Sequence, residues 1–162
     1  MSSPDKPRVV FDCNIFIQAL ANPGGPSGRA LRLLFTGKIE VFLSRAIVRE
    51  FRKVMQYPSV REKFPGLSDE SIHSFVTQLV YRATMVRDVR HVFDYPRAEQ
   101  DEPYIDLAGR TNADYMVSRE HDLLALMTDH SLIGKEFRQR FPKLRVVTPV
   151  EFLVHIETEN KT

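Results

Sequence analysis

Arg8-Val-Val-Phe-Asp-Cys-Asn-Ile-Phe-Ile-Gln-Ala-Leu-Ala21 is the stretch whose reading decides the fold. Its first four residues make a short apolar run, consistent with a fully buried strand. Asp12 breaks the run. From Asn14 to Ala21 the chain reads as a helix, closed by the breaker cluster Asn22-Pro-Gly-Gly-Pro26.

Outward from this strand and helix the alternation continues. A helix is expected over 27–35, ended by Gly37, and then a strand, Glu40-Val-Phe-Leu43. Ser44 is a good N-cap for a helix that runs through Gln56 and stops before Pro58. Ser68-Asp-Glu-Ser71 supplies cap chemistry for a helix to Arg82, and a strand is expected over 85–89. After a polar stretch over 91–102, Pro103 suits the first turn of a helix to Arg110. Ala113-Asp-Tyr-Met-Val117 reads as a strand, 122–127 as a short helix, Leu144-Arg-Val-Val147 as the last strand and 149–156 as the final helix. Strands alternating with helices indicate an α/β fold around a mostly parallel sheet. In such sheets ligands bind outside the carboxyl ends of the strands.

The whole-chain arithmetic agrees. At 162 residues the sequence has the length of one domain, expected over 8–156 with loose ends at 1–7 and 157–162. Fractions of 43% hydrophobic and 27% charged exclude a disordered or collagen-like chain. The single cysteine, Cys13, excludes an internal disulfide and a cysteine-based zinc site. The longest apolar stretch, 9–21, is interrupted by Asp12 and Asn14 and falls short of the ~20 residues of a spanning helix. A cytoplasmic protein with no membrane partner is expected. The net charge of +2 is compatible with a nucleic-acid partner but too small to argue for one.

Several carboxylates stand where carboxylates are costly. Asp12 follows a buried strand, as a helix cap or as a ligand. Glu50 falls inside the stripe of Ile47, Phe51 and Val54, where it would either pair with a nearby arginine or serve a site. Asp101 precedes Glu102-Pro103 at a helix start, again as a cap or as a ligand. Glu120 and Asp122 share the turn after the strand ending at Val117. Carboxylates gathered on one sheet edge repel one another. A hard divalent cation relieves that repulsion, and it can activate water against a phosphodiester.

Val9-Val-Phe-Asp-Cys-Asn14, Leu43-Ser-Arg-Ala-Ile-Val-Arg-Glu-Phe51, Asp101-Glu-Pro-Tyr-Ile-Asp-Leu-Ala108 and Ala113-Asp-Tyr-Met-Val-Ser-Arg-Glu-His-Asp-Leu-Leu124, in this order, resemble the PIN domain. The likeness is greatest to the bacterial PIN proteins that are toxins of toxin–antitoxin systems. It implies a three-layer α/β/α sandwich and a Mg²⁺- or Mn²⁺-dependent ribonuclease leaving 5′-phosphate and 3′-hydroxyl ends. Residue by residue, Asp12 matches the first acid, Asn14 the polar residue two positions on, and Glu50 the second acid. Asp101, twelve residues before Ala113, matches the third. Asp122 and Glu120 share the fourth region, with Asp122 ranked first, and Ser118 matches the hydroxyl residue ending that strand. Asp12, Glu50, Asp101 and Asp122 are thus the expected catalytic and metal-binding set, with Glu120 as a further ligand and Asn14 and Ser118 behind them. Two positions depart from the family pattern. Cys13 stands where Thr or Ser is usual, and Glu120 where Asp or Asn is usual.

Substrate-facing charge is expected from Arg45, Arg49 and Arg119, with Arg29, Arg32, Arg52 and Lys53 as further sources. Gly24-Gly-Pro-Ser-Gly28 lacks the Lys-Ser/Thr of a P-loop and reads as a loop. The five histidines show no paired zinc-ligand spacing on one helix face. A catalytically silent module that binds RNA or protein is the alternative reading, with a metal-dependent phosphatase or a receiver-like phospho-acceptor as a third. The resemblance also implies RNA as substrate, an antitoxin as partner and a homodimer.

Overall fold

The computed structural model describes residues 5–160; of the expected loose ends, 1–4 and 161–162 lie outside the described residues. The chain runs β1 (Arg8–Phe11), α1 (Cys13–Ala21), α2 (Pro26–Phe35), β2 (Glu40–Leu43), α3 (Arg45–Val54), α4 (Pro58–Lys63), α5 (Asp69–Arg82) and β3 (Thr84–Met85). A 3₁₀ segment (Pro96–Asp101) then leads into α6 (Glu102–Thr111), β4 (Tyr115–Val117), α7 (His121–Ala125), α8 (Leu132–Arg140), β5 (Arg145–Val147) and α9 (Pro149–Asn160).

The five strands form one sheet in the order β3-β2-β1-β4-β5, and every neighbouring pair is parallel. β1 sits in the centre because its residues suit no other place: Val9, Val10 and Phe11 are fully buried. Helices flank the sheet in a three-layer α/β/α sandwich. α6 packs against β1, β2 and β4, while α9 reaches β4 and lies along α2. Phe11 meets Phe16 of α1 and Phe152 of α9 edge-on, at 5.9 and 6.1 Å between ring centres. No helix among the described residues is long and apolar enough to cross a membrane.

Three differences from the expected elements have physical causes. The strand expected over 85–89 is confined to Thr84–Met85 at the sheet edge. Beyond it, Arg87 and Asp88 are exposed and Asp88 takes a left-handed φ of 56°. α8 was not anticipated in its mostly polar segment. Ser131 caps it by accepting from the Gly134 N–H at 3.2 Å, and Phe137 anchors it against Phe93 and Phe141. A Cβ at Gly134 would stand 2.5 Å from the Asp129 carbonyl oxygen, so the turn into α8 closes only over glycine. Finally, α4 and the 3₁₀ segment are both opened by a proline, where sequence reading saw only a helix stop and a polar stretch.

Candidate functional site

With all strands parallel, their carboxyl ends share one edge, and four acids meet there. Asp12, Glu50, Asp101 and Glu120 line a single cleft of about 210 Å³, together with Cys13, Asn14 and Tyr104. β1 delivers Asp12, α3 delivers Glu50, the 3₁₀ segment ends on Asp101, and Glu120 follows β4. No lysine or arginine among the described residues lines this cleft.

Asp12 is 3% exposed. It does cap α1, since its Oδ1 accepts from the Asn14 N–H at 2.7 Å, but its Oδ2 accepts from the Ser118 hydroxyl. Ser118 Oγ in turn accepts from the Glu120 N–H at 2.9 Å. Burial pushes the Asp12 carboxyl up to about 6, against the hydrogen bonds from Ser118 and Asn14 that hold it down. Two accepted hydrogen bonds leave a carboxylate with further acceptor capacity.

The arginine partner that sequence reading offered for Glu50 is absent among the described residues. Its Oε2 accepts instead from the Tyr104 hydroxyl at 2.6 Å. Tyr104 is the site residue that sequence reasoning missed. It stands three positions after Asp101, on the first turn of α6, and that placement was the available signal.

Asp101 occupies the cap position of α6 without capping it. Although only 7% exposed, its carboxyl has no hydrogen-bond or ion-pair partner among the described residues. Burial, followed by the carboxylates of Asp12, Glu120, Asp122 and Glu50, pushes it up to about 7. Cys13 is also forced up to about 12, chiefly by burial and then by Glu50 and Asp12, so its thiol stays protonated at neutral pH.

The fourth region divides. Glu120 lies on the cleft wall, where its Oε1 accepts from Asn14 Nδ2. Asp122 does not line the cleft: its Oδ1 pairs with Arg97 Nε at 2.8 Å, and its backbone carbonyl accepts from the Tyr95 hydroxyl at 2.6 Å. Asp122 nevertheless lies close enough to raise Asp101. By position, Glu120 lines the cleft while Asp122 is held by Arg97, a partner not visible in the sequence.

The expected basic residues do not enter the cleft. Arg45 and Arg49 are exposed along α3, as are Arg52 and Lys53, and Arg29 and Arg32 are exposed on α2. Arg119 is exposed and lines a separate pocket.

A second ionic group fastens the loop that carries the chain into this site. His91 Nε2 lies 2.6 Å from Asp94 and its Nδ1 2.9 Å from Asp106 of α6. Asp106 also accepts from the Val92 and Phe93 N–H groups, and Glu102 from the Tyr95 N–H at 2.6 Å. Ligand atoms of His91, Asp94 and Glu102 lie within 4.8 Å of one another, a grouping of one histidine with carboxylates that histidine spacing alone did not show. The carboxylates of Asp94 and Asp106 draw the His91 imidazole up to about 9, so it closes the group as a cation.

The chemistry of the cleft suits a hard cation. It offers oxygen donors only, apart from a protonated thiol, it gathers negative charge without a lining countercharge, and it leaves one buried carboxyl unpartnered. The sequence profile described as the PIN domain matches residues 8–122. A relative from Methanocaldococcus jannaschii, the uncharacterized protein MJ1680, is 30% identical over 152 residues, covering 94% of this chain and 93% of the relative.

Proposed function

The chain belongs to the PIN-domain family, whose members are generally nucleases, and from that premise we propose that it is a divalent-metal-dependent endoribonuclease. The observation that carries this reading is the unpartnered, buried Asp101 in a cleft it shares with Asp12, Glu50 and Glu120. These four would hold Mg²⁺ or Mn²⁺. The cation, when bound, supplies a water acidic enough to attack near neutral pH and a positive charge against the phosphate.

The chain's own residues prepare the carboxylates. Ser118 orients Asp12, Tyr104 orients Glu50 and Asn14 orients Glu120, each through one neutral donor. Asp101 is left free to be deprotonated as the site fills, so cation binding and proton release are coupled there. Asp122 serves from the rim, holding Arg97 and adding negative charge toward Asp101.

In the finer reading the protein is the toxin of a toxin–antitoxin pair and a homodimer. Its antitoxin quenches the site by offering a cationic side chain to the acidic cleft. Support for this comes from the resemblance of the four acid-bearing segments and from the lack of a lining lysine or arginine among the described residues.

The test is purified protein with mixed single-stranded RNA in Mn²⁺ or Mg²⁺, beside EDTA and Asp12→Asn controls. Cleavage that requires metal and vanishes in Asp12→Asn supports the nuclease. If wild type and variant are equally inert while RNA or a protein partner still binds, the silent-module reading replaces it.

A further inference from the structure

A second pocket, of about 380 Å³, lies beside the acidic cleft and shares no wall residue with it. Two helices begin on it: Pro26 opens α2 and Pro149 opens α9, and the two helices pack together. The Ser27, Gly28 and Val150 N–H groups have no acceptor among the described residues, whereas Thr148 Oγ1 already accepts the Glu151 N–H at 3.2 Å; both N-termini carry partial positive charge. Arg119 stands on the same wall and makes no ion pair among the described residues. No carboxylate is among the described residues lining the pocket; the Glu151 carboxylate lies behind its wall, where it accepts from the Thr148 hydroxyl at 3.0 Å.

Ser27 supplies an independent sign of a ligand. It sits on the first turn of α2, is only 5% exposed, and its hydroxyl has no hydrogen-bond partner among the described residues. No fully sealed side-chain nitrogen or oxygen lacks a partner there, so the Ser27 oxygen keeps an open face. The space on which it opens is the pocket that it lines. A buried hydroxyl without a partner, between two positive helix ends and beside a free guanidinium, is a donor set for an anion.

The location ties this anion to the reaction. Arg119 lies between Ser118, which holds Asp12, and Glu120, which lines the cleft. Gln18, on the pocket wall, stands one helical turn along α1 from Asn14, on the cleft wall. The narrow turn before α2 also belongs to this arrangement. A Cβ at Gly28 would fall 2.2 Å from the Pro23 carbonyl oxygen, so glycine allows the 22–25 turn to close down on the helix start.

We propose that the pocket between the starts of α2 and α9 binds a phosphate of the nucleic-acid strand, a neighbour of the one being cleaved. This rests on the nuclease reading for the identity of the strand, but not for the anion chemistry. It would place the strand along α1, from the acidic cleft to Ser27 and Arg119, and so fix the direction in which substrate lies.

The test is binding without turnover, in EDTA. Inorganic phosphate is titrated into ¹⁵N-labelled protein while the amide signals of Ser27, Gly28 and Val150 are followed. A labelled single-stranded RNA oligonucleotide is titrated by fluorescence anisotropy at several salt concentrations into wild type, Arg119→Gln and Ser27→Asp. Expected are saturable shifts confined to those amides and about tenfold weaker RNA binding in Arg119→Gln. The log–log salt slope should be shallower by about 0.7, the share of one phosphate contact on a single strand. Ser27→Asp, which places a carboxylate in the pocket, should abolish the phosphate response and weaken RNA binding by at least as much as Arg119→Gln, with an unchanged circular dichroism spectrum. No phosphate response, with RNA affinity unchanged in both variants, overturns the proposal. Phosphate shifts with RNA affinity unchanged overturn the strand assignment and leave a pocket for free phosphate. Phosphate shifts in a wild type that binds no RNA here and cuts none in the Mn²⁺ assay sink the nuclease reading instead.

Discussion

Replacing Asp101 by Asn should make the protein more stable in EDTA while removing its activity. The native carboxyl is buried, accepts no hydrogen bond among the described residues, and is raised from 3.8 to about 7, by burial first and then by the surrounding acids. An acid whose pKa is higher in the folded state is most at ease protonated. Its penalty is absent below the unfolded value, grows as pH rises between the two values, and is complete above the folded one. Three pH units amount to about 4 kcal/mol at most, and water at the cleft mouth reduces this to about 2. For a chain of this size that is a rise of about 4–8 °C in Tm. The assay is thermal unfolding of wild type and Asp101→Asn in EDTA near pH 8 and near pH 4.5, where the gain should largely disappear. Adding Mn²⁺ should reverse the order, because only the native site gains the full binding energy of the cation. A variant less stable than wild type in EDTA at pH 8 would refute the reasoning. So would a gain of the same size at both pH values.

Further outcomes follow from the same geometry. Glu120→Gln should weaken Mn²⁺ binding, measured by calorimetric titration, by about tenfold or more, and Asp122→Asn by clearly less; the opposite order would return Asp122 to the metal. Tyr104→Phe leaves Glu50 without its donor and should lower Mn²⁺ affinity about tenfold with an unchanged circular dichroism spectrum. His91 is raised from 6.5 to about 9, so its contribution is complete below 6.5 and is lost as pH climbs through 9. The Tm difference between wild type and His91→Asn should accordingly shrink from pH 6 to pH 10, and a difference that grows would contradict the ionic group.

What could be read along the chain was whatever has a local signature. The apolar run before Asp12, the cap at Ser44 and the stripe around Glu50 each announce themselves within a few residues. They were enough for the α/β class and for a set of acids out of place. The strand order could not be read this way, because β1 pairs with β2 and with β4, far later in the chain, through parallel crossovers. The same distance hid the support around the acids. Ser118 meets Asp12 across 106 residues and Tyr104 meets Glu50 across 54. Arg97, in a polar stretch without periodicity, gave no sign that it would take Asp122. α8 was overlooked although Ile133, Phe137 and Phe141 recur at i, i+4 and i+8, because polar residues fill the positions between them.

The central place of β1 has a consequence for the order in which this molecule can be made. β1 is made before either of its neighbours, and one flank stays open until β4, more than a hundred residues later, arrives to cover it. Glu120 lies just beyond that strand, so the cleft gains its last acid only after the sheet around β1 has closed. A chain interrupted just before β4 carries three of the four carboxylates but lacks the strand that closes the sheet around Asp12. The topology thus makes the complete acidic site wait for β4, the strand that covers the open flank of β1.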